Sequence, residues 1–382
     1  LGFAGVAWAL LGYSLAFAPG TALVGGLGYG LLKGVTLDPQ GTIPHVLFMA
    51  FQGTFAVITA ALISGAIVER MRFGAYLAFI TLWVLTVYAP VAHWVWGGGW
   101  LATMGALDFA GGTVVHVNAA AAAAVAAIVV GPRHDHGRQA VLPHNVPFVL
   151  LGAGLLWFGW FGFNAGSALS ANGIAGLAFA NTMLAPMATL VVWTLLDLTR
   201  TKHVTAVGAA TAIVVGLVAI TPAAGYISPT SSLLLGGLAA FPSYFAIMFR
   251  ARTRLDDSLD VVAAHGVGGT VGALLTGVFA DVAWSGAANG LVGGNAGQIG
   301  IQAAGIGAAL VYSMVMTFVL LKVIGLVVPL RATTRDEALG LDVSDHGEEA
   351  YAEGDGAILI GPELASSLVA APAPATVQGG RA

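Results

Sequence analysis

A polytopic all-α membrane protein is the fold class predicted by three features of this 382-residue sequence: its composition, its apolar runs of bilayer length, and the placement of its arginines. Hydrophobic residues make up 58% of the chain and charged residues 8%, with a mean hydropathy of +0.88. Soluble domains carry roughly 25% charged residues, so the solvent for most of this chain is lipid. The net charge of -4 comes largely from an acidic tail and implies no nucleic-acid partner. Cysteine is absent, which excludes disulfides, thiolate metal sites and a cysteine nucleophile.

Apolar segments of about 17–25 residues recur between short polar breaks, the length that crosses a roughly 30 Å hydrocarbon core as helix. Ten are predicted, near 1–18, 46–68, 73–94, 109–131, 146–165, 173–197, 204–222, 230–249, 258–280 and 300–329. Arg70 and Arg72, Arg133 and Arg138, Arg200 and Lys202, Arg250, Arg252 and Arg254, and Arg331 and Arg335 fall in every second connection, whereas the alternate connections hold only Lys33. By the positive-inside rule the arginine-bearing loops and the C-terminal tail are predicted to be cytoplasmic, in a multi-pass protein of the cell membrane. Leu1 enters in the middle of an apolar run with no charged region ahead of it, which reads as a chain lacking one earlier helix. Glycine, at 54 residues, clusters with Ala, Ser and Thr inside the helices and predicts close helix packing. Three regions follow: a membrane domain over 1–330, a cytoplasmic regulatory tail over 331–365, and a Pro/Ala/Gly-rich end over 366–382 expected to be disordered.

Two stretches carry side chains that an apolar helix does not readily hold. In the first, Asp108 precedes Gly111-Gly112-Thr113 and His116; in the second, Asp260 precedes His265 and Gly268-Gly269-Thr270. Histidines within membrane helices are uncommon and usually line an interior path, so a lining role is favoured for His116 and His265 over that of core histidines bonded to a carbonyl. His93 and His144, at helix ends, read as interfacial, and His134, His136 and His346 as solvated. The two motifs lie five helices apart on helices of opposite direction, the arrangement of an inverted repeat with its function at the interface. Aromatic residues cluster around Trp96 and in the run holding Trp157, Trp160 and Phe163. They read either as an interfacial belt or as rings facing a vestibule that holds a cation on their faces, and periodicity does not separate the two.

The runs DFAGGTVVHVNAA (108–120), PHNVP (143–147), FGWFGFNAGSA (158–168), AHGVGGTVGALLTG (264–277) and LDVSDHGEEAY (341–351) together resemble the ammonium transporter (Amt/Mep/Rh) family, on its bacterial and archaeal Amt side. The resemblance spans Leu1 to about Tyr351. It implies an eleven-helix fold with inverted five-helix repeats, of which ten helices are visible here, the first being absent. It further implies that His116 and His265 are twin histidines sharing a hydrogen bond in a hydrophobic pore, and that Phe55 and Phe163 are stacked rings closing its outer mouth. Trp96 and Ser167 would form an external ammonium site, with Trp160 an aromatic neighbour and Asp108 a buried acid beneath it. A homotrimer with one pore per subunit, contact with membrane lipid, and a regulatory protein of the PII class acting on the tail are also implied.

Apolar runs alone place His116 nearer the outer surface and His265 nearer the cytoplasm, about 10 Å or more apart at 1.5 Å per residue. The resemblance instead implies that they meet, with the helix bearing His265 beginning before Asp260 so that this aspartate is itself buried and capped. Ammonium is a hydrated cation that an apolar pore cannot admit cheaply, whereas neutral ammonia can pass. The expected activity is therefore recruitment of ammonium at the aromatic site, deprotonation near the phenylalanines, and conduction of ammonia past the two imidazoles, with methylammonium a poor substrate. A sensor that signals through its tail is the alternative. No enzyme activity, metal or other cofactor is implied, since zinc sites need three or four ligands and the chain has neither HExxH nor cysteine.

Overall fold

The computed structural model describes residues 1–134, 136–138 and 142–349. Its main helices follow the apolar runs in order: α1 (Gly2–Phe17), α2 (His45–Ser64), α3 (residues 73–95), α4 (Gly112–Val130), α5 (Val146–Gly166), α6 (Gly173–Arg200), α7 (Ala206–Ile220), α8 (Pro229–Arg250), α9 (Val262–Phe279) and α10 (Gly297–Gly325). Among the described residues eight helices are long and apolar enough to cross a membrane, α3 being counted with the turn Trp100–Met104 that follows it, and α1 and α7 are shorter apolar helices. A small hairpin of β1 (Pro39–Gln40) and β2 (Ile43–Pro44) precedes α2.

The polar breaks supply caps. The side chains of Asn145, Asn172, Thr205 and Ser228 accept from backbone N–H groups of the first turns of α5, α6, α7 and α8, meeting donors that a helix start leaves without partners. Close approach between helices rests on small residues: a Cβ on Gly236 would stand 2.1 Å from the Ala185 carbonyl oxygen, and one on Gly272 2.1 Å from that of Ala219.

Two bodies result. One buried cluster joins α1, α2, α3 and α4 with the far end of α10, through Trp8, Phe55, Phe79, Trp83, Val115 and Leu321 among others. Another joins α6, α7 and α8 through Ala185, Ile220 and Leu235. α9 packs on α7 and α8 and meets the first cluster at α4, and α10 lies against both α4 and α9.

At the arginine-bearing end, Arg70 is fully buried. It donates from Nε to Gly131 O at 2.7 Å, from Nη1 to Ser258 Oγ at 2.9 Å and from Nη2 to Ala66 O at 2.7 Å and to Asp256 O. The tail is built onto this end: Ala332 N donates to Arg70 O, Arg331 pairs with Glu337 at 2.8 Å, and Phe73 N donates to Asp345 Oδ2 at 2.9 Å. Its short helices are Thr334–Leu339 and Leu341–His346. The part of the predicted tail from 350 to 365 and the predicted disordered end over 366–382 lie outside the described residues.

Three sequence expectations change. His93 is buried rather than interfacial, with Nδ1 2.8 Å from Ala16 O and Nε2 2.8 Å from Thr21 O, which ties α3 to the end of α1. His136 is half-buried rather than solvated, because its Nδ1 reaches Asp256 Oδ1 at 3.3 Å. The helix bearing His265 begins after Asp260 rather than before it, and Asp260 is half-buried, with a φ of 58° and a pairing to Arg250, while the fully buried Asp257 accepts from Val262 N at 2.7 Å.

Candidate functional site

Both histidines sit in the first turns of helices that begin inside the protein. Residues 109–111 and 258–260 are non-helical, so α4 and α9 start later than hydropathy alone predicts. Backbone N–H groups exposed at such a start need acceptors within the protein at membrane depth. Asp108 provides them for α4. Its Oδ1 accepts from Gly111 N at 2.9 Å and Gly112 N at 2.6 Å, and its Oδ2 from Thr113 N at 2.9 Å and Val114 N at 3.0 Å. Asp257 plays the same part for α9, and the spacing from acid to histidine is the same in both, from 108 to 116 and from 257 to 265. Each histidine then lies in a π-helical stretch, Gly112–Val117 or Val262–Val267, the wider turn that often marks functional positions.

These two turns pack together. The Nδ1 atoms of His116 and His265 are 3.1 Å apart, with ring centroids at 5.1 Å. A Cβ on Gly269 would lie 2.9 Å from His116 Cβ, so the absence of a side chain there is what lets α9 come this close. Among the described residues, His116 Nε2 is buried with no hydrogen-bond partner.

A file of rings continues from His116. Trp160 on α5 stacks on it with centroids 5.5 Å apart and planes at 23°. Phe163, one turn on, stands 5.6 Å from Trp160 and is stacked on Phe55 of α2 at 4.2 Å and 23°. Phe55 in turn meets Trp96 edge-on at 5.6 Å. Gly111, at φ 106°, leaves room for this ring, since a Cβ there would lie 3.3 Å from Trp96 Cη2. The structure therefore links Trp96, Phe55, Phe163, Trp160, His116 and His265 in one unbroken series. The belt reading fits the neighbour Phe158, which is 79% exposed, and does not fit Trp160, which is 7% exposed.

Asp108 and Ser167 attach to this series through the backbone. The Trp96 indole N–H donates to Asp108 O at 2.8 Å, so Asp108 holds Trp96 by its peptide while its carboxylate is committed to the cap. Ser167 follows Phe163 by one turn and donates to Phe163 O at 2.8 Å, which leaves its oxygen lone pairs to accept from another donor. Among the described residues no group of three or more His, Cys, Asp or Glu stands ready for a metal ion.

Three residues escaped the sequence reading. Asp257 was detectable from the repeated eight-residue interval. Thr221 receives the Trp160 indole N–H at 2.8 Å, and nothing in the sequence points to that partner. Gln302, 3% exposed on α10, is an intramembrane amide and so carried a signal of the same kind as the histidines.

Comparison with known proteins gives the family and the fold. The family model described as "Ammonium Transporter Family" matches residues 1–351. The "Ammonium transporter" of Bacillus subtilis is 50% identical over 353 residues, covering 91% of this chain and 86% of the relative. The "Ammonium transporter Amt1" of Archaeoglobus fulgidus is 39% identical over 345 residues, covering 90% and 86%. Among solved structures, Candida albicans Mep2 superposes with a TM-score of 0.82 at 36% identity, covering 91% of this chain and 78% of that one. A structure described as "Sensor Amt Protein" gives 0.83 at 32% identity, covering 90% and 87%. A multi-pass membrane protein with this fold and these relatives belongs to the Ammonium Transporter Family.

Proposed function

We propose that this chain transports ammonium by recruiting the cation at Trp96, Phe55, Phe163 and Ser167, removing its charge there, and conducting ammonia past His116 and His265. The observation that carries this reading is the continuous file of rings from Trp96 to His265. Aromatic faces attract a cation by about 0.5–2 kcal/mol each, and the Ser167 oxygen accepts one of its N–H groups; together they replace part of the water shell. Full desolvation of an ion costs far more than such contacts return, so ammonium passes its proton to water at the outer site, enters the pore as ammonia and takes up a proton again on the inner side.

Beyond the rings the two imidazoles supply hydrogen bonds without a fixed charge. Nδ1 facing Nδ1 requires one ring to donate and the other to accept. When both are neutral, one Nε2 carries a proton and the other a lone pair, so ammonia meets both an acceptor and a donor. The arginine-bearing loops and the tail face the cytoplasm in this reading. Three chains form a trimer, and the cytoplasmic tail receives a PII-type regulator. The test is flux of ammonium or methylammonium into proteoliposomes holding the full chain: wild type transports, and a protein with Phe163→Ala and Trp96→Ala loses saturable uptake. Saturable uptake unchanged in that double variant would sink the recruitment step.

The likeness to a structure described as "Sensor Amt Protein" favours a second reading, in which ammonium binds but signals through the tail. It expects binding with little flux in the same proteoliposomes.

A further inference from the structure

We propose that Gln302 is a positioning residue for the outer site, fixing through Leu107 the peptide of Asp108 on which the Trp96 ring is held; this rests on the recruitment role just given to Trp96. Residues 105–111 join the Trp100–Met104 turn to α4 as non-helical chain, and Leu107 and Asp108 are buried. Backbone of that kind at membrane depth is tolerated only where the protein satisfies its polar groups. Gln302 does so at Leu107. Its Oε1 accepts from Leu107 N at 2.8 Å and its Nε2 donates back to Leu107 O at 2.7 Å, closing a ring of two hydrogen bonds on one residue.

The second Nε2 hydrogen goes to Ala273 O on α9 at 3.1 Å, and Gln298 Nε2 holds Gly105 O at 2.9 Å. Donor and acceptor thus have one assignment: a flipped amide would set its NH2 against the Leu107 N–H. Room for the stem comes from Gly277, where a Cβ would stand 3.0 Å from Gln302 Cγ. One residue after this clamp, Asp108 O receives the Trp96 indole at 2.8 Å; two residues after, Phe109 N donates to Pro222 O at 3.1 Å. The clamp thus binds α10 and α9 to the short segment that carries Trp96's partner, and the ring's position relative to Phe55 depends on it.

A residue that only supports the fold would reduce the amount of active protein without changing the concentration at which ammonium saturates it. The test therefore measures half-saturation and maximal flux separately in proteoliposomes, for wild type, Gln302→Met, Trp96→Phe and the pair of changes together. Gln302→Met keeps the length of the side chain and loses every amide bond, including the one its Oε1 accepts from Gln298 Nε2 at 3.4 Å; Trp96→Phe keeps a ring and loses the bond to Asp108 O. Each single change is expected to raise the half-saturating ammonium concentration roughly fivefold, the effect of losing about one buried hydrogen bond, with a smaller change in maximal flux. The double variant is expected to be no worse than the weaker single one, since both act on one position of one ring. Gln302→Glu, which keeps only the acceptor for Leu107 N, serves if Gln302→Met does not fold. Unchanged half-saturation in a folded Gln302 variant, multiplied effects in the double variant, or failure of both Gln302 variants to fold would overturn the proposal. Trp96→Leu leaving half-saturation at the wild-type value would instead remove the recruitment reading itself.

Discussion

His116 and His265 face each other through their Nδ1 atoms at 3.1 Å, although 149 residues separate them in the chain. That contact commits each ring to one tautomer and leaves the two Nε2 atoms outside it, one able to donate and one able to accept. His116→Ala removes one of them and leaves the Nδ1 of His265 without its partner in an apolar setting, where an unmet polar group costs about 1–3 kcal/mol. The expected result is a loss of ammonium flux of roughly tenfold or more in proteoliposomes, since about 1.4 kcal/mol on a barrier is tenfold in rate. Uptake and current equal to wild type, in protein that is folded, would refute a conducting role for the pair.

Gly269→Ala tests the same contact without touching either imidazole. The added methyl would lie 2.9 Å from His116 Cβ and 3.0 Å from Gly112 O, and neither atom is the free end of a flexible side chain. Overpacking of this sort typically costs 1–3 kcal/mol and is relieved here by moving α9 away from α4. A lower thermal midpoint in detergent and a loss of flux comparable to that of His116→Ala are expected. Wild-type values for both would mean that the helices tolerate more separation than the geometry implies.

The histidines were legible in the sequence because a titratable side chain in an apolar run is costly and therefore rarely incidental. Their contact was legible only through the family resemblance, and not from hydropathy. Hydropathy treats residues 109–111 and 258–260 as helix, whereas both are irregular chain and the helix starts that follow have N–H groups met by Asp108 and Asp257; a window of apolarity does not register such a start. The choice of Asp260 over Asp257 failed for a related reason. Three acids, Asp256, Asp257 and Asp260, crowd one loop, and which of them turns inward is set by the backbone, in which Asp260 has a positive φ. Thr221 was hidden because its partnership with Trp160 joins residues 61 apart in sequence.

Thr221 holds Trp160 in place against His116. Its hydroxyl donates to Leu217 O at 2.7 Å and so presents a lone pair to the Trp160 indole N–H at 2.8 Å. Thr221→Val keeps the shape and leaves a buried N–H unmet, a cost of about 1–3 kcal/mol that the ring can avoid by swinging off His116. Flux is expected to fall several-fold in Thr221→Val and to return towards wild type in Thr221→Ser. Equal flux in Val and Ser variants would show that the indole bond has no bearing on conduction.

Acid should loosen the arginine-bearing end first at Asp256. Burial alone would raise this carboxyl, but Arg133 outweighs it, donating from its side-chain Nε and Nη2 at 2.9 and 2.8 Å and from its backbone N at 2.8 Å, and with the charge of Arg70 brings it down to about 2. An unfolded aspartate titrates near 3.9, so the folded protein binds this proton less readily than the unfolded chain does. The linked stability, on the order of 2 kcal/mol, is present in full above about pH 5 and drains away as the pH falls through 4 towards 2. Thermal midpoints in detergent between pH 6 and pH 3 are expected to fall more steeply in wild type than in Asp256→Asn, which starts lower because the buried Arg70 has lost its counter-charge and Arg133 keeps only Glu69. Parallel curves would show that the Arg133 and Arg70 contacts do not bias Asp256 towards its charged form.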